Sequence, residues 1–340
     1  MKILHVIDRL ETGGAEKILV HLTRLLVASG VETGVLLFAA GSPLGHELDK
    51  RLQVHLLNRK NKFNPFNLFK AHRLCSRYNI VHTHLRHVHA YIRLAQLLFN
   101  GKYKVMLHDH ASPTAGIPAR LKGFFKPRYY IGVNQDQIAW AENSVGIDRK
   151  NIFLLENTVA AQPAGTAIIL KTLRAIMVAN IRRVKNIEFA IALCRKMDWQ
   201  LDIYGNVIEP DYHSELLTLA GNDGSVNIKT GITDFSATYP QYRLAIHCSP
   251  QETGPLVLIE YLAAGLPFIA YKTGSAAETI AVELPQLFMN NFDHEEWVQR
   301  IPEIITDTVL PGRMQRLYKQ KFNPDDYISK CLEIYKNVLS

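Results

Sequence analysis

The 340 residues contain no run of 18 apolar residues, and the longest candidate, Leu256–Tyr271, is interrupted by Glu260. A helix that crosses a membrane is therefore not expected. The four cysteines, Cys75, Cys194, Cys248 and Cys331, are too widely spaced for a C-x-x-C pair or a dense disulfide framework, so reduced thiols in a cytoplasmic setting are expected. No D-x-D triplet occurs. Enzymes that bridge a diphosphate with a divalent metal commonly use such a pair, so this absence favours cations and helix dipoles, a metal-independent chemistry and no metal ligands. G-x-G-x-x-G is missing after the first strand of either half, which counts against an NAD-linked oxidoreductase. Repeats of 20–50 residues, low-complexity tracts and aromatic nucleic-acid motifs are also missing. The opening Met1-Lys-Ile-Leu-His-Val-Ile is a short apolar run ended by Asp8, a buried strand rather than a signal peptide.

What is present is 47% apolar residues with mixed charge, a globular composition in a chain long enough for two domains. Charge is uneven: residues 1–170 hold 22 Lys/Arg against 11 Asp/Glu, and residues 171–340 hold 17 against 20. A basic half of this kind meets something anionic, with a lipid-phosphate acceptor, a membrane surface and nucleic acid as candidates. Strand and helix patterns alternate, which predicts parallel α/β layers. Strands are expected at Lys2–Ile7, Glu32–Phe38, Val54–Leu57, Ile80–His84, Lys104–His108 and Tyr129–Asn134, with helices at Ala15–Ser29, Phe66–Tyr78, Val88–Phe99 and Asp136–Val145. The pattern restarts at Ala175–Val178 and continues through Lys185–Lys196, Leu201–Tyr204, Tyr212–Ala220, Val226–Lys229, Leu244–Cys248, Leu256–Ala264 and Phe268–Ala270. Two doubly wound domains follow. Their boundary falls in Asn157–Thr166, which has small residues, Pro and Gly but no periodic apolar face. The run Asn323–Leu339 reads as a capped amphipathic helix.

The most informative segment is Ser249-Pro-Gln-Glu252-Thr-Gly254-Pro255-Leu256-Val257-Leu-Ile-Glu260-Tyr-Leu-Ala-Ala-Gly265-Leu-Pro267. Glu252 lies in a loop and Glu260 inside the following helix, whose start offers backbone N–H groups to phosphate and a carboxylate one to two turns in. This segment, with Gly274-Ser-Ala-Ala-Glu278 downstream, resembles the E-x7-E signature of retaining glycosyltransferases of the GT-B fold, specifically glycosyltransferase family 4. The resemblance covers nearly the whole length. It implies two Rossmann-like domains facing an interdomain cleft, an acceptor-side domain over residues 1–160, a nucleotide-sugar domain over 161–320 and a helix over 321–340 that packs back on the first.

The same resemblance implies roles. Glu260 would accept hydrogen bonds from ribose hydroxyls and Glu252 would hold the transferred sugar or the diphosphate region, while Gly254, Pro255, Leu256 and Val257 bring backbone to the phosphates. In Val178-Ala-Asn180-Ile-Arg182-Arg183-Val-Lys185, Asn180 stands where the family usually shows Arg. Lys185 and Arg182 would hold the departing diphosphate, with Arg183 facing solvent. Gly205, after the strand Leu201–Tyr204, joins the donor-binding set. Leu10-Glu-Thr-Gly13-Gly14-Ala-Glu16 opens the first helix, where glycines admit a ligand close to backbone; it resembles the family's G-G-A-E.

Two histidine groups remain. His82 and His84 share one strand face, yet no cysteine or carboxylate nearby in the chain completes a zinc set, so none is expected. His108-Asp-His110 ends a strand where doubly wound sheets bind ligands; the resemblance puts His108 near donor sugar and acceptor, with His110 as the alternative. Basic and aromatic residues interleave at Arg59–Lys70 and Leu121–Tyr130, a mixture suited to an anionic membrane surface or to stacked single strands. The spacing of Phe66 and Phe69 with Leu74 reads instead as core packing.

The expected activity is transfer of a hexose-type sugar, with retention and without a cofactor, from a UDP-, GDP- or ADP-sugar to a saccharide or lipid-linked acceptor in bacterial envelope polysaccharide synthesis. A nucleotide-sugar epimerase of similar build and a non-catalytic nucleic-acid-binding module are the alternatives.

Overall fold

The computed structural model describes residues 1–41, 43–59, 64–114, 116–160, 173–232 and 236–340. Parts of two expected features, Lys60–Phe63 of the first basic-aromatic stretch and residues 161–166 of the linker, lie outside them.

The described residues form strands β1 (Lys2–Ile7), β2 (Glu32–Leu37), β3 (Gln53–Leu56), β4 (Ile80–His84), β5 (Lys104–Asp109), β6 (Tyr129–Gly132) and β7 (Ile152–Leu154), with helices α1 (Gly14–Ala28), α2 (Pro65–Cys75), α3 (Arg86–Leu98) and α4 (Gln135–Asn143) between them. There follow β8 (Arg174–Val178), α5 (Ile187–Lys196), β9 (Gln200–Tyr204), α6 (Pro210–Ala220), β10 (Val226–Lys229), β11 (Leu244–His247), α7 (Leu256–Ala264), β12 (Phe268–Tyr271), α8 (Gly274–Glu283), β13 (Phe288–Met289), α9 (His294–Thr306), α10 (Leu310–Lys321) and α11 (Pro324–Leu339). Two units result, one made of Met1–Asn157 with Pro324–Ser340 and the other of Thr158–Asn323.

In the first unit the sheet order is β3-β2-β1-β4-β5-β6-β7, with all neighbours parallel. Strand direction of side chains alternates, so each strand serves two cores. Leu4, Val6, Leu36, Val81 and Val105 pack on one face with Leu68 and Ala71 of α2 and Val88 and Ile92 of α3. The opposite face sends Ile3, Ile80 and Met106 against Leu22 and Leu26 of α1 and against Tyr327, Ile328, Cys331 and Tyr335 of α11. The last helix is thus an integral part of this unit's core.

The expectation that Phe66 and Phe69 are core residues is corrected. They are 80% and 47% exposed, because α2 buries Leu68, Ala71 and Cys75, a stripe displaced around the helix from the two phenylalanines. Asn64 accepts a hydrogen bond from the Phe66 N–H at 2.9 Å and Pro65 takes the first helical position, which fixes the start of α2.

The second unit repeats the arrangement in the order β10-β9-β8-β11-β12-β13, again parallel among the neighbours. In a 3-2-1-4-5-6 order the chain reverses direction of winding beside the first strand, and ligands bind beyond the strand ends there. In this unit that point lies between β8 and β11. The helix expected from Lys185 begins at Ile187 instead: Arg183–Lys185 is a single 3-10 turn, and Asn186 sits in the left-handed region at φ 51°. Lys185 therefore projects from a turn, ahead of the helix.

Candidate active site

The loops after β8 and β11 meet at the switch point of the second unit. Ser249, fully buried after β11, donates a hydrogen bond to the Val184 carbonyl at 3.0 Å, tying the two loops together. Lys185 forms an ion pair with Glu252, and His247 Nε2 lies 3.5 Å from the same carboxylate oxygen. Burial opposes ionisation of Glu252, but the His247 hydrogen bond and the Lys185 charge outweigh it and hold the carboxyl at about 2. The Glu252 N–H donates to the Thr273 hydroxyl at 3.1 Å, and that hydroxyl donates to the Pro250 carbonyl at 3.3 Å. Gly274 has φ +78°, and a Cβ there would meet Pro255 Cδ at 2.8 Å and the Glu252 carbonyl oxygen at 3.1 Å. This loop is fixed from both sides.

Pro255 is the N-cap of α7 and offers no side-chain cap. The first turn of this helix, Leu256 and Val257 included, presents N–H groups that have no intrahelical acceptor and carry the positive end of the dipole. Glu260 projects farther along α7 and accepts a hydrogen bond from the Tyr239 hydroxyl at 3.0 Å. Lys185 and Glu252 are thus brought into direct contact, while Glu260 is held by another partner. Arg182 lies half exposed, 3.6 Å from Glu209. Arg183 is also exposed, but it is paired with Glu215 through both terminal nitrogens and lies over the Tyr212 ring at 5.1 Å. Gly205 has a packing reason for its identity, since a Cβ would fall 1.8 Å from the Ala179 carbonyl oxygen.

In the first unit, Gly13 is the N-cap of α1 and Gly14 its first residue. The Glu16 carboxylate folds back over Gly13, so that a Cβ there would meet Oε2 at 2.4 Å. Burial raises the Glu16 carboxyl above its ordinary value. The C-terminal halves of β1, β4 and β5 carry a histidine cluster. His5 pairs with His82 across β1 and β4, and His84 with His108 across β4 and β5; His110 follows two residues on. His5 Nδ1 is 3.1 Å from His84 Nε2, and His84 Nδ1 is 3.2 Å from His110 Nε2. His82 Nδ1 contacts the Tyr335 hydroxyl of α11 at 2.7 Å. Burial pushes His5 down to about 3, His110 down to about 4, and His82, His84 and His108 well below the usual imidazole range, so all five are neutral at pH 7. His108 is completely buried.

Residues 160–321 match the family described as Glycosyl transferases group 1, and residues 12–160 match Glycosyltransferase Family 4. The chain belongs to the GT-B glycosyltransferases. A Haemophilus influenzae protein named an uncharacterized glycosyltransferase is 23% identical, with 96% of each chain covered. Among solved structures, a glycosyltransferase from Rickettsia africae superposes with a TM-score of 0.81 at 20% identity, over 100% of this chain and 98% of that one. Anabaena HepE in complex with UDP and glucose gives 0.83 at 17% identity over 99% of both.

Three residues that belong to no sequence motif help to build this site in the glycosyltransferase. His247, Thr273 and Tyr239 each hold a predicted residue in place, yet they lie on three different elements and share no motif. His247 alone left a trace, as the last residue of an otherwise apolar strand. The histidine cluster is likewise only partly legible in the sequence: His5 from β1 joins His82, His84, His108 and His110.

Proposed function

We propose that this glycosyltransferase binds a nucleoside-diphosphate sugar in the second unit and transfers the sugar with retention to a saccharide or lipid-linked acceptor. The observation that carries the reading is the Lys185–Glu252 pair at the sheet's switch point, set in the two loops that Ser249 ties together. In the proposal the donor diphosphate takes Lys185 from Glu252 and lies at the uncapped start of α7, with Arg182 as a second cation. Glu260 takes the ribose hydroxyls and Glu252 the sugar. The acceptor oxygen attacks the anomeric carbon on the face from which the diphosphate leaves. The C–O bond to phosphate breaks with its electron pair on the phosphate oxygen, which receives the acceptor's proton. Departing charge is met by Lys185, Arg182 and the helix dipole rather than by a metal.

The UDP and glucose complex of HepE supports a UDP-sugar as donor. We place the reaction in envelope polysaccharide synthesis at the inner face of the cytoplasmic membrane. Phe66, Phe69 and Phe124, 80%, 47% and 59% exposed, stand among Lys and Arg and suit contact with anionic lipid.

Thermal-shift measurements with UDP-, GDP- and ADP-sugars test the donor: the cognate one should raise Tm by mass action. Lys185→Ala should shrink that shift and cut turnover by about 100- to 1000-fold, the range seen when one donor to a developing oxyanion is removed. If no sugar nucleotide stabilises the protein, or if the variant turns over normally, the reading fails.

A further inference from the structure

His108 has no hydrogen-bond partner at either ring nitrogen among the described residues, and it is completely buried. A neutral imidazole carries one N–H and one lone pair, and leaving both unmatched in the interior is costly. Such a group asks for an explanation. Its neighbours sharpen the question. His84, His108 and His110 each offer a ring nitrogen, and these three atoms all lie within 4.8 Å of one another. The His108 and His110 ring centroids are 4.2 Å apart, and His84 and His110 stack at 5.4 Å with planes inclined by 7°.

We propose that His84, His108 and His110 form a binding site for Zn²⁺. Tetrahedral zinc with Zn–N bonds of about 2.0–2.1 Å sets its nitrogen ligands about 3.4 Å apart. The 3.2 Å separation of His84 Nδ1 and His110 Nε2, a hydrogen bond that zinc would replace, is close to that, and the ligand atoms of all three rings lie within 4.8 Å of one another. Imidazole ligates a metal in its neutral form. Imidazole donors suit zinc, and three of them leave a fourth position open. His110 is the partly exposed member of the set, which gives the ion its way in.

Charge balance defines the fourth ligand. The nearest carboxylate in sequence, Asp109, points to the other side of β5, where it takes the Arg86 guanidinium at 2.8 Å and the Tyr130 hydroxyl at 3.0 Å. No carboxylate belongs to the ligand group. A bound water fits, because zinc lowers its pKa to about 7 and the resulting hydroxide supplies negative charge.

The site goes beyond the proposed sugar transfer and is tested without it. Metal-free full-length protein is titrated with CoCl₂ followed by visible absorption, and with ZnCl₂ followed by calorimetry at pH 7.5. One equivalent of cobalt should give the intense bands of a tetrahedral complex, one zinc should displace it, and a hundredfold excess of zinc over Kd should raise Tm by about 5–10 °C. His110→Gln, at the partly exposed position, should weaken both titrations at least tenfold while the circular dichroism stays unchanged. His46→Gln, at a surface histidine away from the cluster, should leave them as in the wild type. Absence of stoichiometric binding, or binding that His110→Gln leaves intact, would overturn the assignment.

Discussion

Replacing Glu252 with Gln removes one charge from the Lys185–Glu252–His247 group and keeps its shape. The carboxyl is held at about 2 instead of an ordinary 4.5. At 1.36 kcal/mol per unit, the folded second unit therefore gains about 3 kcal/mol from the ionised form at neutral pH. Because the folded value is the lower one, this contribution is fully present above pH 4.5 and disappears as pH falls toward 2; about half of it remains near pH 3. Both side chains are mostly shielded, Lys185 being 22% and Glu252 16% exposed, so solvent screening takes little of it away. For a unit of this size the loss corresponds to a fall in Tm of about 6–12 °C at pH 7. Thermal unfolding of wild type and Glu252→Gln at pH 7, 4 and 3, with hydrogen exchange in β8 and β11 to identify the unit concerned, measures the gap. Equal stability at pH 7 would refute the reasoning. So would a gap that does not shrink in acid, since that would trace the loss to packing and not to charge.

Two further substitutions separate packing from binding. Gly205→Ala would drive a methyl group into the Ala179 carbonyl oxygen, 1.8 Å from the ideal Cβ position, and should cost about 1–3 kcal/mol in urea unfolding; unchanged stability with weaker donor binding would return Gly205 to ligand contact. Tyr335→Phe removes the partner of His82 Nδ1, a buried contact at 2.7 Å, and should destabilise the first unit by about 1–3 kcal/mol, whereas an unchanged midpoint would show that the contact carries no net stability.

The regular α/β alternation is legible because parallel strands are buried on both faces and announce themselves as largely apolar runs, as in Lys2–Ile7 and Phe268–Ala270. Helix α7 was read with its bounds because Pro255 and Gly265 punctuate it. The elements between Tyr271 and Asn323 leave no clear pattern in the sequence. The strand β13 has two residues, Pro302 lies inside α9, and α10 opens with Pro311-Gly312, so ordinary stop signals there fall within helices. At the site, Glu252 and Lys185 each lie in a legible motif, but their direct contact joins positions 67 apart in the chain. His247 and Tyr239 are illegible for the same reason: each contacts a neighbour supplied by tertiary folding. The exposed Phe66 and Phe69 show the converse error, in which helical spacing named a stripe but not the side of it that faces the core.

The place of α11 has a consequence for how the chain is made. Its side chains complete a core that begins with Ile3, so the first unit to leave the ribosome cannot close until the last 17 residues, Pro324–Ser340, have followed. At about 5–20 residues per second, synthesis of everything after Asn157 takes roughly ten to forty seconds. During that interval the continuous second unit can finish folding, while the face of Ile3, Ile80 and Met106 has α1 on it but lacks α11. The second unit, though synthesised later, can thus be complete before the first.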